Sequence, residues 1–99
     1  MKQPEQCLNM EDIRHEIDTL DRQIIAALGQ RFEYVKAAAN FKSDVAAVKA
    51  SERFKTMLEQ RRKWAEIENL NPDVIEKIYK DLVEYFIHEE LKEWKNDNQ

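Results

Sequence analysis

Residues 9–42, NMEDIRHEIDTLDRQIIAALGQRFEYVKAAANFK, decide the fold of this 99-residue chain. Within them Ile13, Ile17, Leu20, Ile24, Leu28, Val35 and Ala38 recur at steps of three, four or seven, the spacing that lays side chains along one face of an α-helix. Asn9 stands ahead of the stripe as a good N-cap residue. Glu11 and Asp12 then put negative charge in the first turn, where the helix dipole favours it. No proline interrupts the stretch, so the pattern predicts one long helix reaching Lys42. Gly29 costs about 1 kcal/mol relative to Ala in mid-helix; so regular a stripe absorbs that cost, and the glycine suggests close packing against another backbone.

C-terminal to this helix, residues 43–50 (Ser-Asp-Val-Ala-Ala-Val-Lys-Ala) break the stripe and read as a loop or frayed turn able to cover a site. Ser51 is placed to cap a second helix carrying Phe54, Met57, Leu58, Trp64 and Ala65. That helix stops before Asn71-Pro72, because the residue ahead of a proline is disfavoured in the α region. Asn71 caps a third helix with Pro72 at its first position. Its stripe runs Ile75, Ile78, Tyr79, Leu82 and Phe86, continuing to Trp94 beyond a polar stretch. The reading is an all-α chain of three helices forming one domain over residues 1–99, with no internal repeat.

Composition agrees. Charged residues make up 36% and hydrophobic residues 42%, with 1 Gly and 2 Pro, which favours helices and leaves few places to turn a β-chain. A net charge of −4 argues against a nucleic-acid partner, which needs clustered Lys and Arg on a basic face. No stretch approaches the roughly 18 apolar residues of a membrane span, and the first residues lack the apolar run of a signal peptide. Cys7 is the one cysteine, so no intrachain disulfide forms, and a reducing, cytoplasmic setting is expected. A domain this short buries a modest share of its surface, which makes a partner chain plausible.

Three cations sit where apolar residues belong. At about 100° per residue, Arg31 and Lys42 fall in the middle of the first helix's stripe and Arg14 at its edge. A buried cation needs a counter-charge, a route to solvent or an anionic ligand. Pairing with acids of the third helix and snorkelling to solvent therefore stand beside ligand binding. Distance limits the last of these. A rise of about 1.5 Å per residue separates Arg14 from Arg31 by roughly 25 Å and from Lys42 by roughly 40 Å, so one small molecule cannot touch all three within a chain. Arg31 and Lys42 can converge on one ligand, with Arg14 arriving from another chain. The helix also exceeds the roughly 32 Å diameter of a compact monomer of this length. Both arguments predict a two-fold dimer with two shared sites. On the third helix the stripe 75, 79, 82, 86 continues to Glu90, read as an ion-pair partner of a first-helix cation, an exposed acid near a fraying end, or a ligand contact.

Metal and nucleophile chemistry are poorly supported. His15 and His88 lie far apart, no HExxH or Glu-x-x-His pair occurs, and no Gly-rich phosphate loop is present. An enzyme with this inventory would rely on electrostatic positioning.

The register of Asp12-Ile13-Arg14 with Ile17-Asp18, Ala27-Leu28-Gly29 with Arg31, Tyr34-Val35-Lys36-Ala37-Ala38, Phe41-Lys42, Glu52-Arg53, Met57-Leu58 and Trp64-Ala65-Glu66 resembles the all-α chorismate mutase family, and most closely its isochorismate-pyruvate lyase branch, which makes salicylate for siderophores. The resemblance covers about residues 2–94. It implies an intertwined homodimer and no cofactor. It further implies that Arg31 and Lys42 of one chain and Arg14 of the other bind a small dicarboxylate, isochorismate or chorismate, while Arg53 closes over the pocket. Ala38, Met57, Val83 and Ile87 match its apolar lining. The implied reaction is a concerted pericyclic hydrogen transfer that yields salicylate and pyruvate.

Branch membership turns on departures. Mutases of the family usually carry a Glu directly after the second-helix arginine and an Asp shortly before it; Phe54 and Ala50 occupy those places here. Phe86 replaces a small polar residue common in mutases, and an aromatic there suits the lyase branch. The expectation is a lyase with weaker mutase activity, the alternatives being a chorismate mutase and a non-catalytic helical dimer or regulatory module. Both branches commonly hold Gln where this chain has Glu90. An amide donates to the substrate's ether oxygen at any pH, whereas a glutamate donates only when protonated. Burial and a dianionic substrate favour the protonated form; Lys42 and Arg31 favour the ionised one.

Overall fold

The structure, a computed structural model, describes residues 1–41 and 51–97, with side chains for residues 1–41 and 52–95. Lys42, the expected loop 43–50 and the expected capping side chain of Ser51 lie outside the described residues. Among the described residues there are three α-helices: α1 is Met10–Ala38, α2 is Ser51–Ile67 and α3 is Pro72–Asp97. Single 3₁₀ turns precede and follow α1, at Pro4–Gln6 and Ala39–Phe41. Among the described residues there is no strand. The all-α reading therefore holds, as does the division into three helices.

The chain forms two units, Met1–Glu33 and Tyr34–Gln99. In the first, α1 starts as its sequence predicts. The Asn9 side-chain oxygen accepts the Asp12 amide at 2.9 Å, an N-cap bond to the third helical residue, and the Ile13 amide donates to the Asn9 carbonyl at 3.3 Å. The apolar stripe that called for a helix remains partly open among the described residues. Ile17, Leu20 and Ile24 remain 51%, 47% and 56% exposed, and no residue of α1 is buried. A Cβ added to Gly29 would meet nothing within 4 Å.

The expected run of α1 to Lys42 is corrected at Ala38. Residues 39–41 tighten into the 3₁₀ turn, a common way for a helix end to satisfy its last carbonyls. This turn packs on α3, and Ala39 is buried; a residue without a long side chain allows that approach.

In the second unit α2 packs along α3. The hairpin between them is specified residue by residue. The Leu70 amide donates to the Ala65 carbonyl at 2.8 Å and the Asn69 amide to the Glu66 carbonyl at 3.1 Å, the paired bonds of a Schellman C-cap. Asn69 takes the left-handed conformation that the motif requires, at φ 60°. Asn71 then accepts the amides of Asp73 and Val74 at 2.9 and 3.3 Å, with Pro72 at the first helical position. Burial along the two helices selects Met57, Ala65, Phe86 and Glu90. Two stripe residues depart from the expected core. Ile78 is 53% exposed because it lies on the flank of α3 shared with Val74 and Tyr85, outside the band centred on Tyr79, Leu82 and Phe86. Trp64 is 48% exposed, with the Arg61 guanidinium 4.6 Å from its ring centroid.

Candidate active site

The residues singled out for ligand binding divide between the two units. Arg14 and Arg31 belong to Met1–Glu33. Arg14 is exposed on the second turn of α1 and Arg31 is half-buried seventeen residues later. Because α1 is continuous over this span, the roughly 25 Å between the two positions follows from helical rise. The structure therefore does not bring the two arginines together within one chain.

The other described candidates belong to Tyr34–Gln99. Met57 is buried on α2; Ala38, at the end of α1, and Val83 and Ile87, on α3, are half-buried. Arg53 is exposed in the first turn of α2, two residues into the helix. Glu90 retains 6% of its surface and is the buried charged side chain among the described residues. One turn before it, Phe86 is buried to 5%. Positions 83, 86, 87 and 90 share one side of α3, so the aromatic, the two aliphatics and the carboxylate line the same strip. The exposed-acid reading of Glu90 fails for a reason visible in the stripe: position 90 continues the face of Leu82 and Phe86 and is not yet in the fraying turn.

Ion pairs missed in the sequence lock the hairpin that carries these groups. The Arg62 guanidinium donates through Nη1 to Asp73 at 2.8 Å and to Glu76 at 3.0 Å. The bond to Asp73 is the main reason its pKa is raised above the ordinary arginine value. Beside it Arg61 lies over Trp64 and, at 5.6 Å, over Tyr79 of α3. Their sequence signal was present but weak: adjacent arginines on the side of α2 opposite Asp73, Glu76 and Tyr79 can be paired only when the turn length is known.

At the start of α1, Asp12 accepts the Leu8 amide at 3.0 Å and the Lys2 ammonium at 3.1 Å. These bonds hold its carboxyl below the usual carboxylate range, the Leu8 amide contributing most and Lys2 next. Among the described residues, no group of three or more His, Cys, Asp or Glu is placed to hold a metal ion, and no helix is long and apolar enough to cross a membrane. Each unit carries part of the candidate set: the first has the cations Arg14 and Arg31, and the second has a buried acid in an apolar strip.

A family model described as chorismate mutase type II matches residues 13–91, a span containing all of the candidate residues. The chain is 42% identical over 95 residues to the isochorismate pyruvate lyase of Pseudomonas aeruginosa, covering 96% of this chain and 94% of that protein. It is 34% identical over 91 residues to the T-protein of Haemophilus influenzae, covering 91% of this chain but 22% of that protein.

Proposed function

The chain belongs to the chorismate mutase type II family, and from that premise we propose that it is an isochorismate pyruvate lyase, converting isochorismate to salicylate and pyruvate. The observation that carries this reading is the 42% identity with the Pseudomonas lyase along nearly the whole of both chains. The buried Phe86 beside Glu90 supports it, since an aromatic at this place suits the lyase branch. Rearrangement of chorismate to prephenate follows as a weaker side activity, favoured by the family's own description.

The site works by placing charge. Arg31 and Lys42 of one chain and Arg14 of its partner hold the two carboxylates and the ether oxygen of the substrate; Arg53 closes over it, and Ala38, Met57, Val83 and Ile87 form the apolar wall. Fixing the enolpyruvyl group over the ring places its methylene carbon near the transferring ring hydrogen. The C–O bond then breaks as that hydrogen moves to the methylene carbon, giving pyruvate and aromatic salicylate in one concerted step. No external nucleophile, redox partner or proton carrier enters the balance. Preorganised cations stabilise negative charge developing on the departing oxygen, and Glu90, protonated, donates to that oxygen.

A homodimer supplies the missing cation. The exposed stripe Ile17, Leu20, Ile24 is the face for a second copy of α1, and a two-fold operator returns Arg14 of each chain to the partner's Arg31. A cytoplasmic location accompanies this reading.

The test is to incubate purified protein with isochorismate and with chorismate and to follow salicylate, pyruvate and prephenate. Salicylate with equimolar pyruvate is expected from isochorismate. Prephenate from chorismate as the faster reaction would make the protein a mutase, and product from neither substrate would leave a binding module. Arg31→Ala should lower kcat/KM on the order of a hundredfold to a thousandfold with little change in helix content; undiminished turnover would remove Arg31 from the site.

A further inference from the structure

We infer that Asp12 is a positioning residue for Arg14, acting by tying the N-terminal arm, residues 1–9, to the first turn of α1. The inference rests on the reading above, in which Arg14 reaches the ligand of the partner chain.

Arg14 is the fifth residue of α1, so its placement depends on the part of the helix with the fewest internal bonds. The first helical amide bond, Ile13 to Asn9, is already long at 3.3 Å, and the four leading amides of any helix have no intrahelical acceptor. One residue compensates for this weakness from both directions. The Asp12 amide donates to the Asn9 side chain at 2.9 Å, while its carboxylate accepts the Leu8 amide at 3.0 Å and the Lys2 ammonium at 3.1 Å. The arm that Asp12 holds has a turn of its own. Gln3 and Gln6 bond reciprocally around Pro4–Gln6, with the Gln3 amide donating to the Gln6 side chain at 2.8 Å and the Gln6 amide to the Gln3 carbonyl at 2.9 Å. Thus folded, the arm lies against the beginning of the α1 stripe. Met1, Pro4 and Cys7 line one side of a groove of about 370 Å³ whose other side is Ile13, Ile17 and Leu20.

The arrangement is local, lying wholly within Met1–Glu33, and its output is equally local. Arg14 is two residues beyond Asp12 and exposed, so fraying of the first turn shifts its guanidinium. Binding through a bidentate fork is sensitive to such displacement. Loss of the carboxylate tether, with the bond from the Asp12 backbone amide to Asn9 retained, should raise KM more than it lowers kcat, because a loosened Arg14 can still engage the substrate at the cost of being reordered on each binding event.

The experiment compares steady-state turnover of isochorismate by the wild type, Asp12→Ala, Asp12→Asn, Arg14→Ala and the double variant Asp12→Ala/Arg14→Ala, at enzyme concentrations high enough to read residual activity. Asp12→Ala is expected to lower kcat/KM about fivefold, mainly through KM. Asp12→Asn, which can still accept the Leu8 amide, should recover most of that loss. The double variant should behave as Arg14→Ala alone, since a tether has no effect once the tethered group is gone. Wild-type kinetics for Asp12→Ala, or a loss repeated in full on the Arg14→Ala background, would overturn the inference while leaving Arg14 in the site. Wild-type kinetics for Arg14→Ala would instead remove Arg14 from the site, a separate result that overturns both.

Discussion

Glu90 is a carboxylate on an apolar strip, buried one turn after Phe86. Its chemistry makes the pH profile the measurement to take. Glutamate donates to the departing ether oxygen only while protonated, so kcat should be highest at low pH and fall as pH rises through the ionisation of Glu90 in the enzyme–substrate complex. Glu90→Gln keeps a donor at every pH and should flatten that limb; a flat wild-type profile, unaltered by the substitution, would show that Glu90 donates no hydrogen bond to the departing oxygen. Asp12 acts with the opposite sign. Its carboxyl is held low by the Leu8 amide and then Lys2, so its tether is complete above the ordinary carboxylate range and is lost only as pH falls through the lowered value. An acid limb from Asp12 should therefore persist in Glu90→Gln. The position of Glu90 could be read from the 75, 79, 82, 86 spacing. The bonds of Asp12 could not, because they depend on an arm whose fold is set by Gln3, Pro4 and Gln6, residues with no apolar periodicity.

Secondary structure was legible in proportion to how local its causes are. Asn9, Asn71 and Pro72 announce helix starts through bonds spanning two or three residues, and each start falls where those residues predict it. The end of α1 was misplaced because Ala39 leaves the α form to pack on α3, a contact between residues distant in sequence. The α2–α3 hairpin combines both kinds of cause. Its caps are local, whereas Arg62 reaches across to Asp73 and Glu76. The cap should dominate: Asn71→Ala removes the acceptor for two otherwise unpaired amides and should cost about 1 kcal/mol, lowering the melting temperature by roughly 5 °C. Asn69→Gly should be neutral or mildly stabilising, since φ 60° carries no side-chain penalty in glycine. The ion pairs of Arg62 are exposed enough that Arg62→Met should cost less than the cap. Thermal unfolding of the three variants ranks these effects, and a larger loss from Arg62→Met would assign the hairpin's register to its charges.

At the scale of the whole molecule the stripe of α1 is left partly open: Ile17, Leu20 and Ile24 are about half exposed, and Arg14 and Arg31 stand too far apart to share a small ligand. The periodicity of residues 13–38 therefore revealed the helix more completely than its surroundings, because a pattern states that a face will be covered without stating by what. A two-fold dimer resolves both problems in one step and makes a quantitative demand on mixtures of variants. Arg14→Ala and Arg31→Ala should each be nearly inactive, each damaging every site of its own dimer. In a heterodimer of the two, one site combines Arg31 from the Arg14→Ala chain with Arg14 from the Arg31→Ala chain and is intact, while the other lacks both. Random reassortment makes half of the dimers heterodimers, so an equimolar mixture, unfolded and refolded together, should recover about a quarter of wild-type activity. The unmixed variants carried through the same treatment should recover none. Sites built within single chains would leave the mixture as inactive as its components, and a sedimentation profile taken on the same sample distinguishes that outcome from a failure of the chains to pair.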